Sequence, residues 1–220
     1  MKISIENQKL LIDEFNLMAY NAQRKAFITI GIEIQKEEIL IIEKYIEDLK
    51  ILKKEFVEKE LENEANLVYC IENSLLAICH EIKMLVAIKE DKMDIAWDNL
   101  VRAQVIYGTV ISNTPFESEE NSNYLIRLSQ YEKLLFPKLH FHSVGGIIKN
   151  SHCSICNKKS GNCQHIKGKL YNGELCTRNI TEMELEEVSF VENPANKHCR
   201  ILSIEQNGKK IDILTLREIK

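Results

Sequence analysis

The residues best suited to chemistry lie between His152 and His165, in the run HCSICNKKSGNCQH. Cys153 and Cys156 are two residues apart, so one tight turn can aim both thiolates at a single ion. Cys163 and His165 follow after a loop carrying Lys158, Lys159 and Gly161, and they can close a tetrahedron. Three soft sulfurs and one imidazole suit Zn2+. Four protein donors fill a structural zinc shell and leave no open position for substrate or activated water, so the pattern speaks for folding more than for turnover. Cys176 is an alternative ligand that could replace His165, and His152, His198 and Cys199 could also approach in space. A redox role for the C-x2-C pair is disfavoured, because the strand-to-helix setting is missing and two more donors lie close by.

Lys158, Lys159, Lys167 and Lys169 surround this loop with positive charge, and Tyr171 offers a ring. Together they are candidate nucleic-acid contacts, phosphate-binding cations beside one stacking platform. The same residues also fit a solvated loop surface. His140 and His142, at alternate positions, are a weak signal for a second metal site.

The rest of the chain sets limits on what such a centre could serve. Its 220 residues, 45% hydrophobic and 28% charged, suit a folded protein of one or two domains. No run of eighteen uncharged apolar residues occurs, so no membrane span is expected. The opening MKISIENQKLLIDEF lacks the pattern of a signal peptide. Seven cysteines, five of them in the last third, fit a reducing, cytoplasmic setting with a metal site better than a secreted disulfide framework. Cys70 and Cys79 fall in an apolar helical run and read as buried thiols. Residues 1–150 carry 18 Lys or Arg against 24 Asp or Glu, and residues 151–220 carry 11 against 9. That balance does not describe a strongly basic DNA-binding surface.

The elements that must position the centre divide into two textures. Before Pro137 the apolar residues recur every three or four positions, as helices require. A first helix starts after Ser4 or Asn7 and runs toward Phe27. A second covers about 35–54, and a third, about 56–90, carries the stripe Leu61, Ala65, Val68, Leu75, Ile78, Ile82 and Leu85. Asp94 is placed to cap a fourth, ending near Ile111, and Ser118 with Glu119 and Glu120 to begin a fifth. His80 cannot serve a di-iron bundle, since Ala77 stands three residues before it, nor a zincin motif, since Met84 stands four after. Glu81 is assigned to surface pairing. Beyond Pro137, LHFHSVGGIIKNSH reads as a joint, and Asn172-Gly173 and Asn207-Gly208 read as hairpin turns. Glu184–Val191 supplies a further strand or a short helix followed by one. The expected architecture is α+β: a mainly α-helical antiparallel bundle or elongated helical array over 1–137, a joint over 138–150, and a small zinc-stabilised β-rich module over 151–220.

Near the C terminus, LEEVSFVENPANKHCRI resembles a segment of phage prohead maturation proteases, in which E-V-S-hydrophobic-V precedes P-A-N. The matching residues are Glu187, Val188, Ser189, Phe190, Val191, Pro194, Ala195 and Asn196. The C-x2-C and C-x-H pairs, Tyr171-x-Gly173 and Cys176 are similar to zinc-containing modules encoded by phages or prophages. The resemblance covers about 50 residues and leaves the helical part untouched. It implies a serine nucleophile, a histidine base and an acidic residue in the EVSFV strand, yet only Glu187 has a counterpart here. No serine or histidine matches the catalytic motifs. The sequence is therefore expected to specify a non-enzymatic interaction protein, phage-associated or active in bacterial antiviral defence, that binds a second copy or another protein. A nucleic-acid accessory factor and a maturation-protease-like hydrolase are the alternatives.

Overall fold

A computed structural model, describing residues 5–115 and 119–219, places five helices before six short or ribbon-like strands, the α+β arrangement expected from the two textures. The helices are α1 (Ile5–Lys25), α2 (Ile32–Glu58), α3 (Glu62–Lys89), α4 (Met93–Ile111) and α5 (Glu119–Leu135). α3 is buried on nearly every side: its stripe Val68, Leu75, Ile78, Ile82 and Leu85 is joined by Ala77, Cys79 and Met84. A helix apolar all round belongs at the centre, and α2 and α4 pack along it, with α1 and α5 outside. α2 contributes Ile42, Ile46, Leu49 and Phe56, and α4 contributes Trp97, Leu100, Val101 and Val110. Among the described residues no helix is long and apolar enough to cross a membrane.

The boundary expected near residue 55 lies a turn later, between Glu58 and Glu62. Leu61 N–H donates to Phe56 O at 2.9 Å, Glu60 N–H to Val57 O at 3.1 Å, and Glu60 takes φ 56°. This paired closure is a Schellman cap. The same cap ends α3, where Asp91 takes φ 59° and Lys92 N–H donates to Ala87 O at 2.8 Å. Neither cap uses glycine, so the sequence carried no breaker at either point. Asp94 does not cap α4; the N-cap is Lys92 without a side-chain bond, and Asp94 sits in the first turn, where its charge favours the helix dipole. Ser118 lies outside the described residues. Glu81 is not a surface residue: it is fully buried and accepts a 2.8 Å bond from Arg127 Nη2.

The strands form three two-stranded antiparallel sheets. β1 (Phe141–Cys153) pairs with β4 (Arg178–Val191), β2 (Leu170–Tyr171) with β3 (Glu174–Leu175), and β5 (Ser203–Gln206) with β6 (Lys209–Asp212). Asn172 and Gly173 take φ 47° and 71°, and Asn207 and Gly208 take 55° and 73°. These are the turns expected from the two Asn-Gly pairs. The stretch read as a joint is instead strand. Its adjacent glycines serve close approach: a Cβ on Gly146 would stand 2.3 Å from Glu184 O. They face a β-bulge at Glu186, since Gly145 pairs with Glu187 and Gly146 with Leu185.

The β-rich part is fastened to the helices at both ends of the β1–β4 ribbon. At one end Phe141 lies 6.1 Å from Trp97, and Trp97 Nε1 donates to Lys197 O at 3.0 Å. Lys197 Nζ reaches Gln104 Oε1 at 3.1 Å and Glu132 Oε2 at 2.5 Å. The Pro194-Ala195-Asn196 segment thus leads into a docking contact. At the other end Asn113 Nδ2 donates to Gly168 O at 2.9 Å, and Gly173 N–H donates to Asn66 Oδ1 at 2.7 Å.

Candidate metal centre

β1 delivers Cys153 as its last residue. The chain then turns tightly: Asn157 N–H donates to Cys153 O and Cys153 N–H to Lys158 O, both at 2.9 Å. Asn157 completes the turn at φ 55°, a conformation asparagine tolerates better than most residues. Ser154 ties the turn to the returning chain, its N–H donating to Thr177 O at 3.1 Å and its Oγ accepting from Thr177 N–H at 2.8 Å. Cys176 follows β3 and is held by Cys176 N–H to Lys169 O at 2.9 Å and Gly168 N–H to Cys176 O at 2.8 Å.

These supports bring Cys153, Cys156, Cys163 and His165 together, with one ligand atom from each lying within 4.8 Å of all the others. Cys153 is buried and the other three are half-buried. Cys153 Sγ stands 3.7 Å from His165 Nδ1 and 3.8 Å from Cys176 Sγ. A tetrahedral zinc with sulfur at about 2.3 Å has sulfur–sulfur edges of about 3.8 Å. Both separations therefore suit donors on one ion. Cys176 is also buried, so the structure keeps it beside the four as the alternative ligand.

The electrostatics follow from this crowding. Amide N–H groups of Cys156 and Ile155 point at the Cys153 sulfur and bring its thiol down to about 6, against the effect of burial. At Cys163 the His165 amide pulls the thiol down, but burial and the Cys156 and Cys153 sulfurs prevail and raise it. Cys176 is raised by burial and then by Cys153. Thiols that resist ionising beside one another become good ligands when a dication supplies the balancing charge.

His165 also packs edge-on to Tyr171 at 4.5 Å, and the Tyr171 hydroxyl accepts a 2.9 Å bond from Ile166 N–H. Tyr171 is half-buried and braces the loop. Lys169 Nζ donates to Ser112 O at 2.9 Å, while Lys158, Lys159 and Lys167 are exposed. His198 pairs with Asp98, and Cys199 O accepts from His142 N–H at the opposite end of the ribbon. His140 and His142 flank the Phe190 ring, at 5.0 and 6.3 Å, on one face of the ribbon. Ser189 Oγ donates to Glu187 Oε1 at 3.1 Å, and among the described residues no serine hydroxyl is hydrogen-bonded to a histidine. Asn66 and Asn113, which anchor the centre to α3 and α4, carry no sequence signal, because their partners are backbone groups more than fifty residues away.

All seven cysteines are free thiols, and Cys70 and Cys79 are buried in α3 with thiols raised to about 11 by burial. His80 Nδ1 lies 2.7 Å from Asn99 Oδ1, a local contact between α3 and α4. No family model, curated protein or solved structure matches the chain.

Proposed function

We propose that this protein is a non-enzymatic, zinc-stabilised scaffold or protein-interaction factor. The observation that carries the reading is the convergence of Cys153, Cys156, Cys163 and His165 at the seam between the ribbon and the helices. A shell closed by four protein donors has no room for substrate, so zinc here would hold the ribbon end, the β2–β3 hairpin and the helices in fixed relation. The chain would work in the cytoplasm, where its seven thiols stay reduced. The resemblance to phage-encoded zinc modules supports a phage-associated setting or one in bacterial antiviral defence, with another protein or a second copy as partner.

The test is purification without chelator, metal analysis, and binding assays against single-stranded and duplex nucleic acid across a salt series. One zinc per chain, with no salt-sensitive nucleic-acid binding and no self-cleavage, is the expected result. Binding that falls steeply with salt and weakens when Lys158, Lys159 and Lys167 are neutralised would transfer the assignment to a nucleic-acid accessory factor. Self-cleavage abolished by one serine substitution that leaves the fold intact would transfer it to a hydrolase.

A further inference from the structure

The β1–β4 ribbon has two unlike faces. Residues directly opposite in an antiparallel pair share a face, and alternate residues along a strand return to it. The bulge at Glu186 restores the phase between Leu185 and Val188. One face therefore carries four consecutive rungs: His142 with Phe190, Val144 with Val188, Gly146 with Leu185, and Ile148 with Met183. The opposite face carries Ser143 with Ser189, Gly145 with Glu187, and Ile147 with Glu184.

The eight paired residues of these rungs include no Asp, Glu, Lys or Arg, yet they are open to solvent. Phe190 is 62% exposed, Leu185 61%, and Val144 and Val188 58% each. Together these rungs offer roughly 500 Å² of apolar surface, toward the upper end of what a monomer leaves uncovered. A two-stranded antiparallel ribbon is marginal by itself in water, and this one is fastened to the helices only near its two ends. Its middle needs cover.

We infer that the Phe190–Val188–Leu185–Met183 face of the ribbon is a self-association surface, covered by the same face of a second copy. The paired rungs of two such faces meet without like charges, because Glu184 and Glu187 lie on the far side and stay in water, and Glu186 is the unpaired bulge residue. Those carboxylates would repel nucleic acid, and the apolar rungs hold no anion to recruit a basic peptide. Face-to-face contact would bury roughly 1,000 Å² in total, the size at which specific interfaces begin. It would form a small four-stranded sandwich with layers about 10 Å apart. Edge-to-edge pairing is disfavoured, because the Glu186 bulge and the irregular pairing at Lys149 and Asn150 distort the edges.

This inference rests on the reading of the chain as an interaction factor and names its partner. The experiment is sedimentation equilibrium of the zinc-loaded full chain from about 1 to about 100 µM, a range that brackets a micromolar dimer. Leu185→Lys and Val188→Lys alter side chains already in water, so each monomer should keep its zinc and its helical circular dichroism. Wild type is expected to be dimeric, and the double variant to dissociate with a Kd at least about 100-fold higher. Leu40→Lys, on an exposed α2 position, should leave the dimer unchanged. A wild type monomeric throughout the range overturns the inference, as does a double variant that remains dimeric. So does a dimer that Leu40→Lys disrupts and the ribbon variants do not. A zinc-loaded monomer that still holds a different protein would defeat self-association and leave the scaffold reading standing.

Discussion

Cys153 does more than its neighbours in the centre. It ends β1, accepts the turn's backbone bond, and has a thiol lowered to about 6 by the amides of Cys156 and Ile155. Cys153→Ser or His165→Ala should therefore weaken zinc by more than about 100-fold, beyond the effect of removing an outer-shell partner. Competition with a chromophoric chelator measures this. Cys176→Ser should retain one tightly held metal if the shell is Cys153, Cys156, Cys163 and His165; loss of the metal would put Cys176 in the shell instead. A separate residue sets an acid-side dependence. Hydrogen bonds from Lys36 and Lys92, at 2.8 and 2.7 Å, hold the Glu90 carboxyl at about 2 rather than 4.5. A depressed carboxyl contributes stability above its unfolded value and loses it as pH falls, here between about 4.5 and 2. In urea titrations over that window, Glu90→Gln should show a shallower fall of stability than wild type. Equal slopes would mean that the pair adds nothing.

Elements were legible where local chemistry decided them. The stripe of α3 and the Asn-Gly turns of β2–β3 and β5–β6 are written in spacing and in residues that accept positive φ. A break between α2 and α3 was legible but was placed about four residues early, because Glu60 adopts the left-handed conformation only with its cap bonds and helix packing in place. β1 was hidden for the opposite reason. Gly145 and Gly146 resemble a flexible joint until Glu184, Glu187 and the bulge are set against them. The convergence of Cys153, Cys156, Cys163 and His165 was readable from spacing, whereas the way they are anchored was not. Gly173 illustrates the anchoring: it takes φ 71°, and a Cβ there would come within 3.1 Å of Lys53 and 3.3 Å of Ala65 O. Gly173→Ala should cost about 1–2 kcal/mol from backbone conformation alone, measured as a lower urea midpoint with unchanged slope. It should also loosen the hairpin from α3, giving faster hydrogen exchange at residues 170–176. An unchanged midpoint would show that the turn relaxes freely.

At the scale of the whole molecule, two fastenings join the helical array to the ribbon, and they differ in kind. Trp97, Phe141 and Lys197 make an apolar and ionic clamp at one end, formed by side chains packed against α4 and α5. The loop carrying Cys153, Cys156, Cys163 and His165 makes the other, where polar turns are held to the helices by hydrogen bonds from Asn113 to Gly168 O and from Gly173 N–H to Asn66. Removing the metal should therefore release one end only. The most direct measurement is hydrogen exchange read by mass spectrometry on protein purified without chelator, with its zinc counted before and after chelation. One zinc per chain is expected, with residues 151–177 losing protection on chelation while α2, α3 and α4 keep theirs. A protein that carries no zinc as purified, yet protects residues 151–177 as strongly as the helices, would contradict the claim that a metal holds this module together.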